Sequence, residues 1–320
     1  MSHAVCLGEI LVECFTEQKG VPGHQVTSWI PLPGGAPANV ACALAKLGSS
    51  ADFVGAIGKD AWGDALAQLL LDMGVGARGL QRRLKAPTRR VYVNSSEVGD
   101  RTFSGFSEDD TAVYADAHLF ADALEPSLFK ASFLILGTLS LAYPDTRQSV
   151  EKAVEIALAE GAAILVDVNW RPMFWPTPAE APGRIYDLLK RIQFLKVSVE
   201  EAEWLFGTGS ARAIAQQLPG LQGVLIRAGS KGCEYYLKGN VGRVPAFDVD
   251  IEDTNGAEDA FTAGFVHQLM RQGISCLADA AIAQQVVTYA SAVGALTTTR
   301  PGAIAALPTA NEIEVFLYLN

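Results

Sequence analysis

The runs Phe133-Leu134-Ile135-Leu136 and Ala163-Ile164-Leu165-Val166-Asp167-Val168 are near-continuous apolar segments, and Arg147–Ala159 between them repeats apolar residues at helical spacing. Unbroken apolar runs suit strands covered on both faces, whereas a strand with one wet face alternates. A strand, a helix and a second strand in that order make a parallel crossover unit. Working outward, Ala4–Leu7, Asp52–Val54, Phe194–Val197 and Val224–Ile226 repeat the strand pattern. Helical stretches separate them, among them Trp62–Met73 and a face through Val40, Leu44 and Leu47 that Gly48 ends as a C-cap. This β-α alternation predicts a Rossmann-like, three-layer α/β/α fold with a mostly parallel sheet.

Two segments break the alternation. Gln25–Ile30 is short and mixed in polarity. Arg89–Phe106 holds two strand-like runs, Arg90–Asn94 and Arg101–Phe106, around a turn at Glu97-Val98-Gly99-Asp100. Both are expected in a small antiparallel sheet outside the main one, a lid built from about residues 12–33 and 89–106 of a single domain spanning 1–320.

The 320 residues are 49% hydrophobic, enough for a large core. The net charge of −10 argues against general nucleic-acid binding, which needs clustered Lys and Arg. The chain opens without a basic leader and long apolar run, and no apolar run approaches about 18 residues, so neither a secretory signal nor a membrane span is expected and the cytoplasm is the expected compartment. Cys6, Cys14, Cys42, Cys233 and Cys276 are odd in number and scattered, which argues against a disulfide framework or a zinc site. Gly74-Val75-Gly76-Ala77-Arg78-Gly79 matches a dinucleotide fingerprint but follows a helix rather than a strand, so its glycines are expected to end that helix.

Asp253-Thr254-Asn255-Gly256-Ala257-Glu258-Asp259-Ala260-Phe261 leads into an amphipathic helix. Small residues at a loop-to-helix junction leave backbone N–H groups free, and the helix dipole adds positive potential there. A transferring phosphoryl group suits that place, and Asp259 beside it suits the acceptance of a proton from an attacking hydroxyl. Asp259 as a mere first-turn acid complementing the dipole is the alternative. In Pro33-Gly34-Gly35-Ala36-Pro37-Ala38-Asn39 the glycines permit close approach of a ligand, and Asn39 offers both a donor and an acceptor to a hydroxyl-rich one.

Taken together, these segments resemble the two signatures of the PfkB (ribokinase-like) carbohydrate kinases. The first signature looks like G-G-x-x-x-N, the second like D-T-x-G-A-G-D-x-F. Further ordered matches cover most of the chain. They are Gly8–Glu13, Gly99-Asp100-Arg101-Thr102-Phe103 in a lid motif, Asp167–Pro172, Lys196–Glu201, Ala228–Gly232 and Thr299–Ala303. Gly34–Ala41, Gly137–Ser140 and Asn169–Arg171 look most like the fructokinase branch.

The resemblance implies ATP-dependent phosphorylation of a sugar, fructose to fructose 6-phosphate first, with Mg²⁺ bridging the phosphates and K⁺ as an optional ion. It implies Asp259 as the base, Gly256 and Ala257 with position 258 as the anion hole, and Glu13, Gly34, Gly35, Asn39, Phe103 and Arg171 as sugar contacts. Ser198, Glu201, Arg227, Gly229 and Gly232 fall at nucleotide positions, Glu201 with an indirect role toward metal and Asp253 toward a monovalent cation. A homodimer through the lid is a further option.

Four residues depart from the pattern: Glu258 for glycine, Glu13 for aspartate, Ser198 for asparagine and Arg227 for threonine. Unit charges 4 Å apart repel by roughly 4 kcal/mol at an effective dielectric of 20. Glu258 is therefore expected to slow transfer, and Glu258→Gly to raise kcat. A catalytically impaired binding or regulatory member, and a kinase for a nucleoside or another sugar, are the alternatives.

Overall fold

A computed structural model describes residues 2–18, 20–95 and 101–320. Its large sheet has nine strands, in spatial order Asn240–Val244, Cys233–Leu237, Gly223–Arg227, Phe194–Ser198, Ala163–Asp167, Phe133–Gly137, His3–Leu7, Ser50–Gly58 and Gly76–Arg83. From Gly223–Arg227 to Gly76–Arg83 every pairing is parallel. All six strand candidates lie in this sheet.

Burial explains why those strands are continuously apolar. Ala4, Cys6, Phe133, Ile135 and Leu165 join one core with the helices Ala36–Lys46, Ala257–Gln272 and Ala280–Thr297. Val5, Leu7, Leu134, Leu136, Ile164 and Val166 turn to the opposite core, with the helices Pro144–Ala159, Ala181–Leu189 and Ala211–Gln217. Successive side chains alternate between two dry faces, so three layers form.

The edge hairpin Cys233–Leu237 and Asn240–Val244 is antiparallel and was not among the strand candidates. Its turn is legible afterwards: Lys238 and Gly239 both have positive φ, 46° and 94°, as a two-residue hairpin requires. Gly76–Arg83, a further parallel strand, was hidden by its glycines and arginines. Gly74, at φ 75°, ends the helix Ala61–Asp72 as expected, whereas Gly76 and Gly79 belong to the strand Gly76–Arg83, which corrects the expectation for those two.

The small sheet has the order Ile30–Gly34, Leu11–Phe15, Arg90–Ser95, Arg101–Phe106. Two expectations are corrected here. Gln25–Ile30 is not a strand: Gly23–Gln25 is a single helical turn, and pairing begins at Ile30. The central pairing, Leu11–Phe15 with Arg90–Ser95, is parallel, while the outer two are antiparallel. The reason is topological. Leu11–Phe15 follows His3–Leu7 and Arg90–Ser95 follows Gly76–Arg83, so both leave strands of the main sheet that run the same way. The expected turn at 97–100 lies outside the described residues. Among the described residues no helix is long and apolar enough to cross a membrane.

Candidate active site

A cleft of about 960 Å³ lies between the carboxyl ends of the main strands and the small sheet. Open parallel sheets place ligands at those ends. Asp167, Ser198 and Arg227 line it from below, and Glu13, Val91 and Phe103 from the small sheet. The helix Ala257–Gln272 points its first turn into it, with Glu258 and Asp259 on the wall.

That helix begins where only glycine fits. Gly256 has φ 74°, and a Cβ on it would stand 2.7 Å from the Cβ of Ala303. Asp253 ties the loop down: its Oδ1 accepts from Asn255 N at 2.9 Å and its Oδ2 from Gly302 N at 2.8 Å. Both carboxylate oxygens thus hold backbone, joining the expected anion loop to the Thr299–Ala303 segment.

Asn39 Nδ2 donates to Asp259 Oδ2 at 2.8 Å, bringing the two signature segments together. Asn39 sits in the helix Ala36–Lys46, behind Gly35, whose φ is 107° and whose missing Cβ would meet Glu9 O at 2.6 Å. Burial pushes the Asp259 carboxyl up to about 7; the Asn39 hydrogen bond opposes this, Asp167 adds to it, and Lys196 and Arg171 oppose it. A base of that acidity is poised for proton transfer near neutrality.

Glu258 has partners that the sequence did not disclose. Arg227 Nε donates to both of its oxygens, at 3.2 and 3.1 Å, and Lys196 Nζ lies 3.2 Å from Oε2. Lys196 also reaches Asp167 Oδ2 at 2.7 Å. Burial alone would raise the Glu258 carboxyl, but Lys196 and Arg227 override it and pull it down to about 2. The charge is therefore balanced on two sides, which removes the ground for expecting Glu258 to stand bare before a phosphate.

Ser198 and Glu201 form a capping box that starts the helix Val199–Phe206. Glu201 Oε2 accepts from Ser198 N at 2.8 Å and Oε1 from Trp170 N at 2.6 Å, so its carboxylate fixes two loops beside the cleft. Gly229 lines the cleft at φ 54°, within the turn Gly229–Lys231. Gly232, Gly34, Ala257 and Asp253 are not on the cleft wall. Gly232 is needed for the turn, since its Cβ would lie 2.1 Å from Val244 O. Gly34 leaves room for Glu13, whose Cδ would be 2.7 Å from a Cβ there. Glu13 Oε2 accepts from Asn255 Nδ2 at 3.2 Å, linking the small sheet to the anion loop. Arg171 lines the cleft and donates to Trp170 O at 3.0 Å.

Sequence reasoning passed over Glu9, Lys196 and Asp167 as site residues. Glu9 is buried, accepts from Ala36 N at 3.2 Å, and has its carboxyl pushed up to about 8 by burial. An acid inside an apolar run was the available signal for Asp167, and a lysine inside one for Lys196. Among the described residues no group of three or more His, Cys, Asp or Glu side chains is arranged to hold a metal.

A cleft at the strand ends, roofed by a small sheet and holding a half-buried carboxylate beside a helix N-terminus, is the site of a phosphoryl-transfer enzyme acting on a polyhydroxy substrate. The chain belongs to the pfkB family of carbohydrate kinases, whose model matches residues 1–310. It is 35% identical over 323 residues to a probable fructokinase-4 of Arabidopsis thaliana, covering 100% of this chain and 98% of that protein. Its fold is similar to that of a fructokinase from Xylella fastidiosa with bound ATP, with a TM-score of 0.89, 30% identity, and 99% and 98% of the two chains covered. It is also similar to a double-mutant fructokinase from Vibrio cholerae O395 in a fructose-, ADP- and potassium-bound form, with a TM-score of 0.85, 28% identity, and coverage of 99% and 98%.

Proposed function

We propose that this carbohydrate kinase transfers the γ-phosphoryl group of ATP to the 6-hydroxyl of fructose. The observation that carries the reading is the Asn39–Asp259 hydrogen bond, which sets a base of raised pKa beside the helix N-terminus at Gly256. The sugar hydroxyl gives its proton to an Asp259 carboxylate oxygen. Its oxygen then forms a bond to the γ-phosphorus as the bond to the β,γ-bridging oxygen breaks, and ADP departs. Developing charge on the phosphoryl oxygens meets the backbone N–H groups and the dipole of the helix Ala257–Gln272.

Glu13, Gly35, Asn39, Phe103 and Arg171 surround the sugar in this reading, with Gly34 acting through Glu13. The small sheet serves as a lid that excludes water from the transfer. Gly229 and Ser198 flank the nucleotide, and Gly232 shapes its turn. A divalent cation such as Mg²⁺, when bound with ATP, would supply charge neutralisation at the phosphates. The hard oxygen donors of Glu200 and Glu201 on the same wall suit contact with it through water. A potassium ion near the Asp253 loop, a cytoplasmic setting and a homodimer through the lid complete the proposal. Sedimentation velocity decides the last.

Purified protein assayed for ADP release against fructose, other hexoses, pentoses and nucleosides tests the reading. Turnover fastest on fructose, with fructose 6-phosphate as product, supports it; preference for a pentose or nucleoside overturns the choice of sugar. Nucleotide and sugar binding without turnover would overturn the catalytic assignment.

A further inference from the structure

Two of the four departures from the family's pattern touch each other. Arg227 ends the strand Gly223–Arg227, and Glu258 stands in the first turn of the helix Ala257–Gln272. Both line the cleft, next to the turn Gly229–Lys231. Their contact uses Nε of the guanidinium, bonded to both carboxylate oxygens. The guanidinium carbon lies 4.3 Å from the centre of the Phe261 ring, a cation–π contact that adds to its positioning. Lys196 is occupied by Asp167 and Glu258.

An Nε contact leaves the two terminal amino groups outside the Glu258 pair; a further side-chain partner of the guanidinium is the Cys233 thiol, a weak acceptor that a phosphate oxygen would outcompete. Those groups form the fork that matches a phosphate bidentately. A glycine-type anion hole offers backbone N–H groups alone. A glutamate in that loop adds a charge that opposes a phosphate unless a cation comes with it, and Arg227 is that cation. The charges of Glu258, Asp167, Lys196 and Arg227 sum to zero before ATP arrives, so the cluster is held in place without one.

We propose that Arg227 donates its terminal N–H groups to the γ-phosphate of ATP during transfer, and that Glu258 is the positioning residue that holds the guanidinium for this. The inference rests on the kinase reading above and adds an arginine supplied from the strand end to its chemistry. An arginine at a transferring phosphoryl group stabilises charge that grows in the transition state.

The test is calorimetric binding of ADP and of the non-hydrolysable β,γ-imido analogue of ATP, each with Mg²⁺, together with kcat. Arg227→Gln is expected to weaken the analogue about tenfold while ADP stays within about twofold, because one charged hydrogen-bond set is lost at the γ-phosphate only. Its kcat falls further than its analogue affinity. Glu258→Gln is expected to follow in the same direction with a smaller loss. The double variant Arg227→Thr with Glu258→Gly removes both charges and should exceed either single threonine or glycine variant in kcat. Equal affinities of parent and Arg227→Gln for both nucleotides would overturn the inference and leave the kinase reading standing. Should Arg227→Gln fail to fold, Arg227→Lys keeps the charge without the fork: selective weakening of the analogue supports the proposal, and equal loss for both nucleotides overturns it. A parent that binds neither nucleotide overturns the kinase reading, and the inference with it.

Discussion

Arg89 and Asp116 form a bidentate ion pair inside the protein, Nε to Oδ2 at 2.7 Å and Nη2 to Oδ1 at 2.9 Å, with side chains only 0% and 4% exposed. Arg89 stands at the entry to the small-sheet strand Arg90–Ser95, and its backbone carbonyl accepts from Val12 N at 3.0 Å in the neighbouring strand. Tyr143 Oη and Thr111 O take further bonds, each at 3.1 Å, and the rings of Tyr114, Phe106 and Phe174 surround the guanidinium. Removing one partner of such a pair strands a buried charge. Asp116→Ala is therefore expected to destabilise the fold by about 3–5 kcal/mol. Urea unfolding of parent and variant measures it, and a loss below about 1 kcal/mol would show that the arginine finds water or another partner.

Asp259→Asn should remove most turnover, about 10²–10⁴-fold in kcat, because a general base contributes that much. Sugar binding should persist, since the amide keeps the shape of the side chain. Kinetics and calorimetry of the variant check both halves. A kcat within a few-fold of the parent would take the proton elsewhere.

The acid limb of the pH profile follows from the same residue. Asp259 must be ionised to accept a proton, and burial raises its pKa to about 7. Activity should accordingly fall as pH drops below about 7, close to tenfold per unit at the lower end. Measured as kcat/KM against pH, a flat profile between pH 5.5 and 8 would contradict the assignment.

Asn39→Ala tests the hydrogen bond to that base. Loss of a hydroxyl contact raises the sugar KM. The bond also favours the ionised carboxylate, so its loss should move the acid limb to higher pH. A raised KM with an unmoved limb would assign Asn39 to the sugar alone.

Gly256→Ala probes the loop-to-helix junction. The substitution places a Cβ 2.7 Å from Ala303 at φ 74°, a conformation that side chains other than glycine's rarely adopt. The expected result is a kcat loss of at least tenfold, with a lowered melting temperature. Full activity with unchanged thermal unfolding would mean that the loop rebuilds itself around the methyl group.

Much of the main sheet was legible because both of its faces are dry. Ala163–Val168 and Phe133–Leu136 cannot alternate when Leu165 and Ile164 enter opposite cores. The two signature segments were legible because glycines at positive φ, Gly35 and Gly256, leave a local trace. What stayed hidden depends on sheet order. Lys196 and Arg227 belong to adjacent parallel strands, with Ser198 opposite Arg227. Nothing near Glu258 in the chain announces that these cations converge on it. Gln25–Ile30 misled because a mixed polar-apolar run is also what an irregular surface segment carries.

The strands that border each sheet bear on how copies of this protein meet at high concentration. Gly76–Arg83 ends the large sheet with Arg78, Arg82 and Arg83, and Ile30–Gly34 ends the small one with Pro31 and Pro33. Long charged side chains at a border hinder the docking of an apolar strand, although Arg78 and Arg82 are paired with Asp52, Glu125 and Asp64, and prolines lack the N–H that a foreign strand would bond. Continuous β-pairing from one molecule to the next is thereby discouraged at these two of the four borders, which leaves Asn240–Val244 and Arg101–Phe106 as the edges where a foreign strand could still add.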